Sequence, residues 1–391
     1  MSNSNEVQIS YVKQTTLGAI PSSNLEVLHY ASESLKGTAS STQSAIINSS
    51  GNIKDLIRTG FTADGGINTE LGHNYINPFL VGAWRSALET PISLSGTTFS
   101  IDASGSPITL DDSGSGLGDL KPNDIIMVGG FTDANNNTAF SVGANVAAGS
   151  VDIVAIDLTK TPVTEAAGDT VTVKTTRMEN ANTNSFFAIE RYYSDVSKYM
   201  SFLDMHIDTM TLEFGAGSVP TVAFTFKGTT HSPITATIGT GYNAASTNDV
   251  INTDTGYLGT LLGNDGAVLS ASSGCVTKVS ISVTNSVRIE EGLNCQTVGK
   301  GDFDLKVSFD MVFANLTYYN VFLNNGYTSM ALAAVDGSNQ GIGLTIPKLK
   351  YTDASAPSTG RNNTVTASYS AQAIGVTVGS DTYTAILSIL G

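Results

Sequence analysis

The chain has 391 residues, 19 Lys and Arg against 34 Asp and Glu, and a formal net charge of −15. At roughly 150 residues per domain this length suggests two or three domains with a sizeable core. Only 14% of residues are charged and 41% are hydrophobic, which excludes intrinsic disorder of the usual highly charged kind and a binder that works by neutralising phosphates with excess Lys and Arg.

The first twenty residues hold no apolar core of a secretory signal. No run of 18 apolar residues exists, so no helical membrane span is expected. The first helix signal runs from about Ile76 to Leu88. Asn77 can cap it, and Pro78 suits its first turn. Phe79, Leu80, Ala83, Trp84, Ala87 and Leu88 recur at helical spacing, with Trp84 as a core anchor.

After Pro91 the composition shifts. Residues 92–176 keep only three aromatics, Phe99, Phe131 and Phe140. Strand signals recur at Thr97–Ile101, Ile125–Val128, Ala139–Val142, Val151–Ile156 and Thr170–Lys174. Turn clusters separate them, which predicts a small all-β domain inserted into a core made of residues 1–91 and 177–391.

Period-two alternation dominates the remainder. Met210, Leu212 and Phe214 alternate with Thr211 and Glu213; Val222, Phe224 and Phe226 alternate with Thr221, Thr225 and Lys227. The intervening Gly215–Pro220 suits a hairpin. Thr235–Gly274 is polar and rich in Gly, Ser and Asn. It reads as a long loop, with at most a hairpin around Asn264-Asp265-Gly266. Val279, Ile281 and Val283 alternate with Ser280, Ser282 and Thr284. From Asp302 to Phe313 an apolar set alternates with Asp302, Asp304, Lys306, Ser308 and Asp310. A second short helix fits Leu316–Asn324, capped by Asn315 and stopped by Gly326, with Tyr319, Phe322 and Leu323 as its stripe. Val365, Ala367, Tyr369 and Ala371 mark a last strand. Such clean alternation predicts antiparallel sheet with one face in water.

Groups that carry chemistry are sparse. His29, His73, His206 and His231 lack metal-ligand spacing. Gly114–Gly118 lacks the lysine and the helix of a phosphate-binding loop. Asp133, Asn135 and Asn137 copy the start of a calcium loop without its glycine and glutamate. Glu290 and Glu291 are adjacent, so in a strand they point to opposite faces. Cys275 and Cys295, in a chain with no visible signal peptide, read as reduced thiols. The expectation is therefore a non-enzyme without cofactor or metal.

Long amphipathic strands leave edges that invite pairing with another chain. Their hydroxyl-rich faces either meet solvent or, if several copies join edge to edge, line the aqueous channel of a large barrel. Several segments decide between these readings. They are Leu35–Gly37, Asp55–Phe61, Gly65–Leu71 with the Trp84 helix, Phe186–Arg191, Asp208–Leu212, and Pro347–Tyr351 before Pro357–Gly360. Within the insert they are Leu120–Asp124 and Gly130–Asn137. In order and spacing this set resembles the tail tube proteins of long-tailed bacteriophages, in the subfamily with an inserted β domain.

The resemblance implies a mostly-β fold: a two-layer antiparallel sandwich or half-barrel with one or two flanking helices. It implies homohexameric rings whose strands close an inner barrel, rings that stack into a tube, and passage of viral DNA without specific binding. Implied partners are the tail tip, tape measure and tail terminator proteins. The implied place is the virion tail, after assembly in the host cytoplasm. The inner wall would use Asp208–Phe214, Thr221–Lys227, Val279–Val287 and Asp302–Phe313. Candidate lumen residues are Thr211, Glu213, Thr221, Thr225, Ser280, Ser282, Thr284, Asp304, Lys306, Ser308 and Asp310, a hydroxyl-rich and mildly negative lining. The alternative is a surface-decorating or adhesion module that binds host glycans.

Overall fold

The computed structural model describes residues 3–47, 49–74, 76–248, 250–251, 257–263, 275–293, 295–358, 361, 363–378 and 381–391, with backbone only for 257–262. The fold is mostly β: twenty-eight strands and two short α-helices, α1 (Asn77–Trp84) and α2 (Thr317–Leu323), among the described residues. The largest continuous wall contains eight strands, numbered here in chain order: β1 (Lys36–Gln43), β2 (Leu56–Glu70), β3 (Lys198–Gly215), β4 (Thr221–Gly228), β5 (Val276–Thr284), β6 (Asp304–Val312), β7 (Gly341–Ser355) and β8 (Thr366–Ala373).

In space these strands run β1-β2-β4-β3-β5-β6-β8-β7, every neighbour antiparallel. Among the described residues the wall does not close into a barrel within one chain. Among the described residues β1 pairs only with β2. Residues 350–355 of β7 pair only with β8, whereas its first half also pairs with Ile386–Leu390 and Thr328–Val335.

The inward side chains of the wall form the main core. Ile67, Val222, Phe224, Phe226, Met210, Leu212, Phe214, Ile281, Val307 and Phe309 are all buried. Phe79 on α1 packs within 5.0–5.4 Å (ring centroids) of Phe187, Phe224 and Phe226. β2 also passes very close to the preceding segment. A Cβ on Gly65, where φ is +137°, would lie 2.5 Å from the Ser34 carbonyl oxygen, so only glycine fits there.

Both helices are shorter than their sequence signals. α1 stops at Trp84 because Arg85 takes a left-handed conformation (φ 53°), and Leu88 is left exposed. Its N-cap is Ile76, not Asn77, and the Asn77 amide bonds Asn74 instead. α2 buries Tyr318 and leaves Leu323 exposed, so the expected stripe of Tyr319, Phe322 and Leu323 is rotated towards Tyr318, Val321 and Phe322. Its N-cap is Leu316, not Asn315, although the Asn315 Oδ1 accepts the Thr317 N–H at 2.9 Å from one position earlier. Asn325, not Gly326, takes the left-handed φ of 54° at its end.

The segment 235–274 is not only a loop. Tyr242–Asn243 pairs with Leu25–Glu26, and Tyr257–Leu262 pairs antiparallel with Thr328–Val335. The strand Thr328–Val335 is buried throughout and needs partners on both edges for its backbone. The turn at Asn264-Asp265-Gly266 lies outside the described residues.

Residues 92–176 contribute the strands Ile92–Gly96, Phe99–Asp102, Ile108–Asp112, Ile125–Gly129, Ala139–Ala147 and Ser150–Ala155, of which Ile92–Gly96 and Ile108–Asp112 have no marked sequence signal. Their core includes Phe99, Leu110, Ile126, Phe140, Val151 and Val173. The strand Val171–Glu179 crosses the expected boundary at 176. Its first half pairs with Ile92–Gly96 and Ile125–Gly129, and its last four residues pair with Ile386–Ile389.

Candidate functional site

All eleven residues expected on a wet face share one face of the wall, and none of them is buried. Residues directly opposite in antiparallel strands point to the same side, so the register defines rows across the wall. One row runs Thr225, Thr209, Thr284, Asp304. The next runs Asn68, Ala223, Thr211, Ser282, Lys306, Gln372, Lys350. The third runs Glu70, Thr221, Glu213, Ser280, Ser308, Ser370, Asp353. A fourth joins Gly215, Lys278, Asp310 and Ser368. The four strand segments expected to form an inner wall are thus consecutive neighbours, β4-β3-β5-β6.

Two bounds change. β6 begins at Asp304, so Asp302 lies outside the strand. β5 ends at Thr284 rather than Val287, because Asn285 turns into the core. The Asn285 amide donates to the Ala83 and Ile207 carbonyls at 3.1 Å each. Its own Oδ1 and backbone oxygen accept from the Arg85 guanidinium at 2.6 and 2.7 Å, and Arg85 also reaches the Gly301 oxygen at 2.7 Å. Burial lowers the Arg85 pKa, against the opposing pull of Asp302. Arg85 therefore fixes the end of α1 to the rim of the wall. Its sequence neighbourhood carries no signal of this, because every partner lies about 200 residues away.

The polar groups on the face are locally tied. The Thr209 and Thr225 hydroxyls lie 2.6 Å apart. Asp304 accepts from Gln372 Nε2 at 2.7 Å and lies 3.0 Å from Lys306 Nζ. Partial burial pushes the Asp304 carboxyl up, but hydrogen bonds from Lys306 and Gln372 outweigh it and hold the pKa below the ordinary value. At the rim Lys227 Nζ lies 2.9 Å from Asp208. The face is less uniformly acidic than the eleven residues alone suggest, since Lys278 and Lys350 share it.

The other candidate motifs have structural explanations. Asp112 fills the glycine-rich turn itself: its carboxylate accepts the Gly114 and Gly116 N–H groups at 2.8 and 2.7 Å and the Thr98 hydroxyl at 2.5 Å. The Asn137 side chain bonds both backbone groups of Phe131, so it turns into its own loop. His206 is buried against Phe186, half-buried His231 stacks on Phe202, and His29 meets the Ser246 carbonyl. Burial lowers the His206 and His73 pKa values. Cys275 and Cys295 are exposed free thiols. Among the described residues no group of three or more His, Cys, Asp or Glu could hold a metal ion, and no helix is long and apolar enough to cross a membrane.

The family model described as phage tail tube protein matches residues 4–373. The chain belongs to the phage tail tube protein family. It is accordingly a structural protein of the virion tail, made to assemble with copies of itself into a tube. No curated protein matches the chain.

Proposed function

We propose that six copies close a ring in which the wet face of the wall lines a channel for the viral DNA, and that rings stack head to tail into the tail tube. The observation that carries this reading is the single continuous wet face with strand edges on both sides, β1 and the short strand Ser32–Glu33 along β2 on one side and residues 350–355 on the other. β1 has the sequence Lys-Gly-Thr-Ala-Ser-Ser-Thr-Gln, with no proline and its one charge, Lys36, at the first position. Pairing it with the next copy's free edge would satisfy both rows of backbone groups and extend the wall around the axis. Head-to-tail contacts do not close by themselves, so another tail component sets the length.

Two hairpins project from the rim that carries Lys227 and Asp64. One is the β1–β2 hairpin, and the other is formed by Arg288–Glu291 and Gln296–Gly299. They touch where Gln296 Nε2 donates to the Phe61 carbonyl at 3.4 Å. Their ends expose Ile46, Ile47, Ile53, Leu56, Ile57 and Leu293. That much apolar surface on one side suits burial against the next ring. Residues 92–176 form the outer decoration in this reading, held away from the channel.

Negative-stain microscopy of the concentrated protein tests the proposal. Hollow tubes with sixfold end views are expected. A monomer at every concentration, together with virions whose tails lack this protein, would overturn it. Ile47→Asp with Leu293→Asp should give rings or monomers in place of tubes, measured by sedimentation velocity.

A further inference from the structure

Two neighbouring rows of the wet face carry opposite charge, while the rows flanking them hold Asp304 on one side and the mixed pair Lys278 and Asp310 on the other. Lys306, Gln372 and Lys350 lie side by side in one row. The adjacent row of the same face, two residues along each strand and so about 7 Å away, carries Glu70, Glu213 and Asp353. Lys306 is well exposed, at 65% of its side chain. The Lys350 ammonium lies 5.3 Å from the Tyr327 ring, a contact that leaves its charge intact. Only one of the two lysines has a carboxylate within ion-pair distance among the described residues, Lys306 with Asp304.

We propose that the wall is charge-banded: the Lys306–Lys350 row is a phosphate-contacting band for double-stranded DNA, and the neighbouring Glu70–Glu213–Asp353 row is a repelling band. This rests on the reading of the wet face as the channel wall. Repeated around a ring, the two rows become adjacent belts of opposite sign. Repeated along a tube, they form a ladder of weak holds, none able to trap a duplex because each hold lies beside a repelling belt. The protein as a whole carries −15, so its outer surface disfavours DNA and retention reports mainly on the channel.

The test is co-sedimentation of purified tubes with a fluorescent duplex of about 20 base pairs across a salt series, with the same samples inspected by microscopy. If a bound duplex keeps only two phosphate contacts in total at any moment, retention by wild-type tubes should fall on the order of tenfold between about 50 and 200 mM salt, and more steeply with more contacts. The Lys306→Gln/Lys350→Gln tubes should retain little duplex at any salt, and Glu70→Gln/Glu213→Gln tubes should retain more than wild type at low salt. Equal retention by wild type and the lysine variant would overturn the proposal. So would a flat wild-type salt series, which needs no variant to assemble. Absence of tubes from the wild-type grids would instead bring down the tube reading, and the band with it.

Discussion

The main wall and the segment 92–176 are both antiparallel sheet, yet they use polar side chains in opposite ways. In the segment 92–176 carboxylates and amides are turned back on their own turns: Asp112 binds Gly114 and Gly116, Asp157 binds Thr159, and Asn137 binds Phe131. On the wall the hydroxyls and charges stand in rows on an open face. Where polar groups are consumed by local backbone, a sheet is self-contained. Where they are left facing outward beside unpaired edges, the sheet is prepared for neighbours.

The two regions meet at one buried ion cluster. Arg177, 4% exposed, bonds Asp124 from the segment 92–176, lies 3.6 Å from Glu89, and stacks 5.3 Å from the centre of the Tyr383 ring. Beside it Ile125 and Met127 pack on Ala331, Ala333 and Leu390. A Cβ on Gly343 would lie 2.8 Å from Ile125, so the two sheets approach closely there.

The sharpest way to break the contrast is at this junction. Arg177→Ala leaves the Asp124 carboxylate buried without its cation and should cost about 3–5 kcal/mol in urea unfolding. A second unfolding step for the segment 92–176 is expected in that variant. On the wall side, Asn285→Ala strands Arg85 Nε and the Ala83 and Ile207 carbonyls, for about 1–3 kcal/mol by the same measurement. Asp112→Ala removes three local hydrogen bonds and should cost about 1–2 kcal/mol, with no effect on tube formation seen by microscopy.

Smaller effects fall on the open face. Asp304 has a depressed folded pKa, so its contribution is present above the unfolded value near 4 and is lost as pH falls through the folded value. The stability difference between wild type and Asp304→Asn, measured at neutral pH, should therefore shrink as the pH drops below about 4. Ser308→Ala, on the same face, should change the urea midpoint by no more than about 0.5 kcal/mol, while in tubes it replaces one hydroxyl of the lining.

Much of the wall was legible beforehand. The alternation Phe303, Leu305, Val307, Phe309, Met311 against Asp304, Lys306, Ser308, Asp310 names both the strand and its wet side, because successive side chains of a strand point to opposite faces. The same rule placed Thr211, Ser282 and Lys306 on wet faces strand by strand. It did not reveal that they form one row, since strand order and register depend on contacts between segments up to about 170 residues apart.

Elsewhere the pattern misled for identifiable reasons. The apolar repeat through Ala87 and Leu88 continues past Trp84, but Arg85 is pulled out of the helix by Asn285 and Gly301. The polar composition of 235–274 hid Tyr257–Leu262, whose pairing is set by the buried strand Thr328–Val335.

The sequence by itself determined the mostly-β class, the two-faced strands, the composition break near residue 92, and the low, acidic charge. These are local or additive properties, readable from period and count. Only the tertiary structure decided which strands neighbour one another, where the free edges lie, how Lys306 lines up with Lys350 and Glu213 with Asp353, and how Arg177 joins the two sheets. Those features follow from long-range backbone pairing and from desolvation of groups far apart in the chain, and neither leaves a local mark.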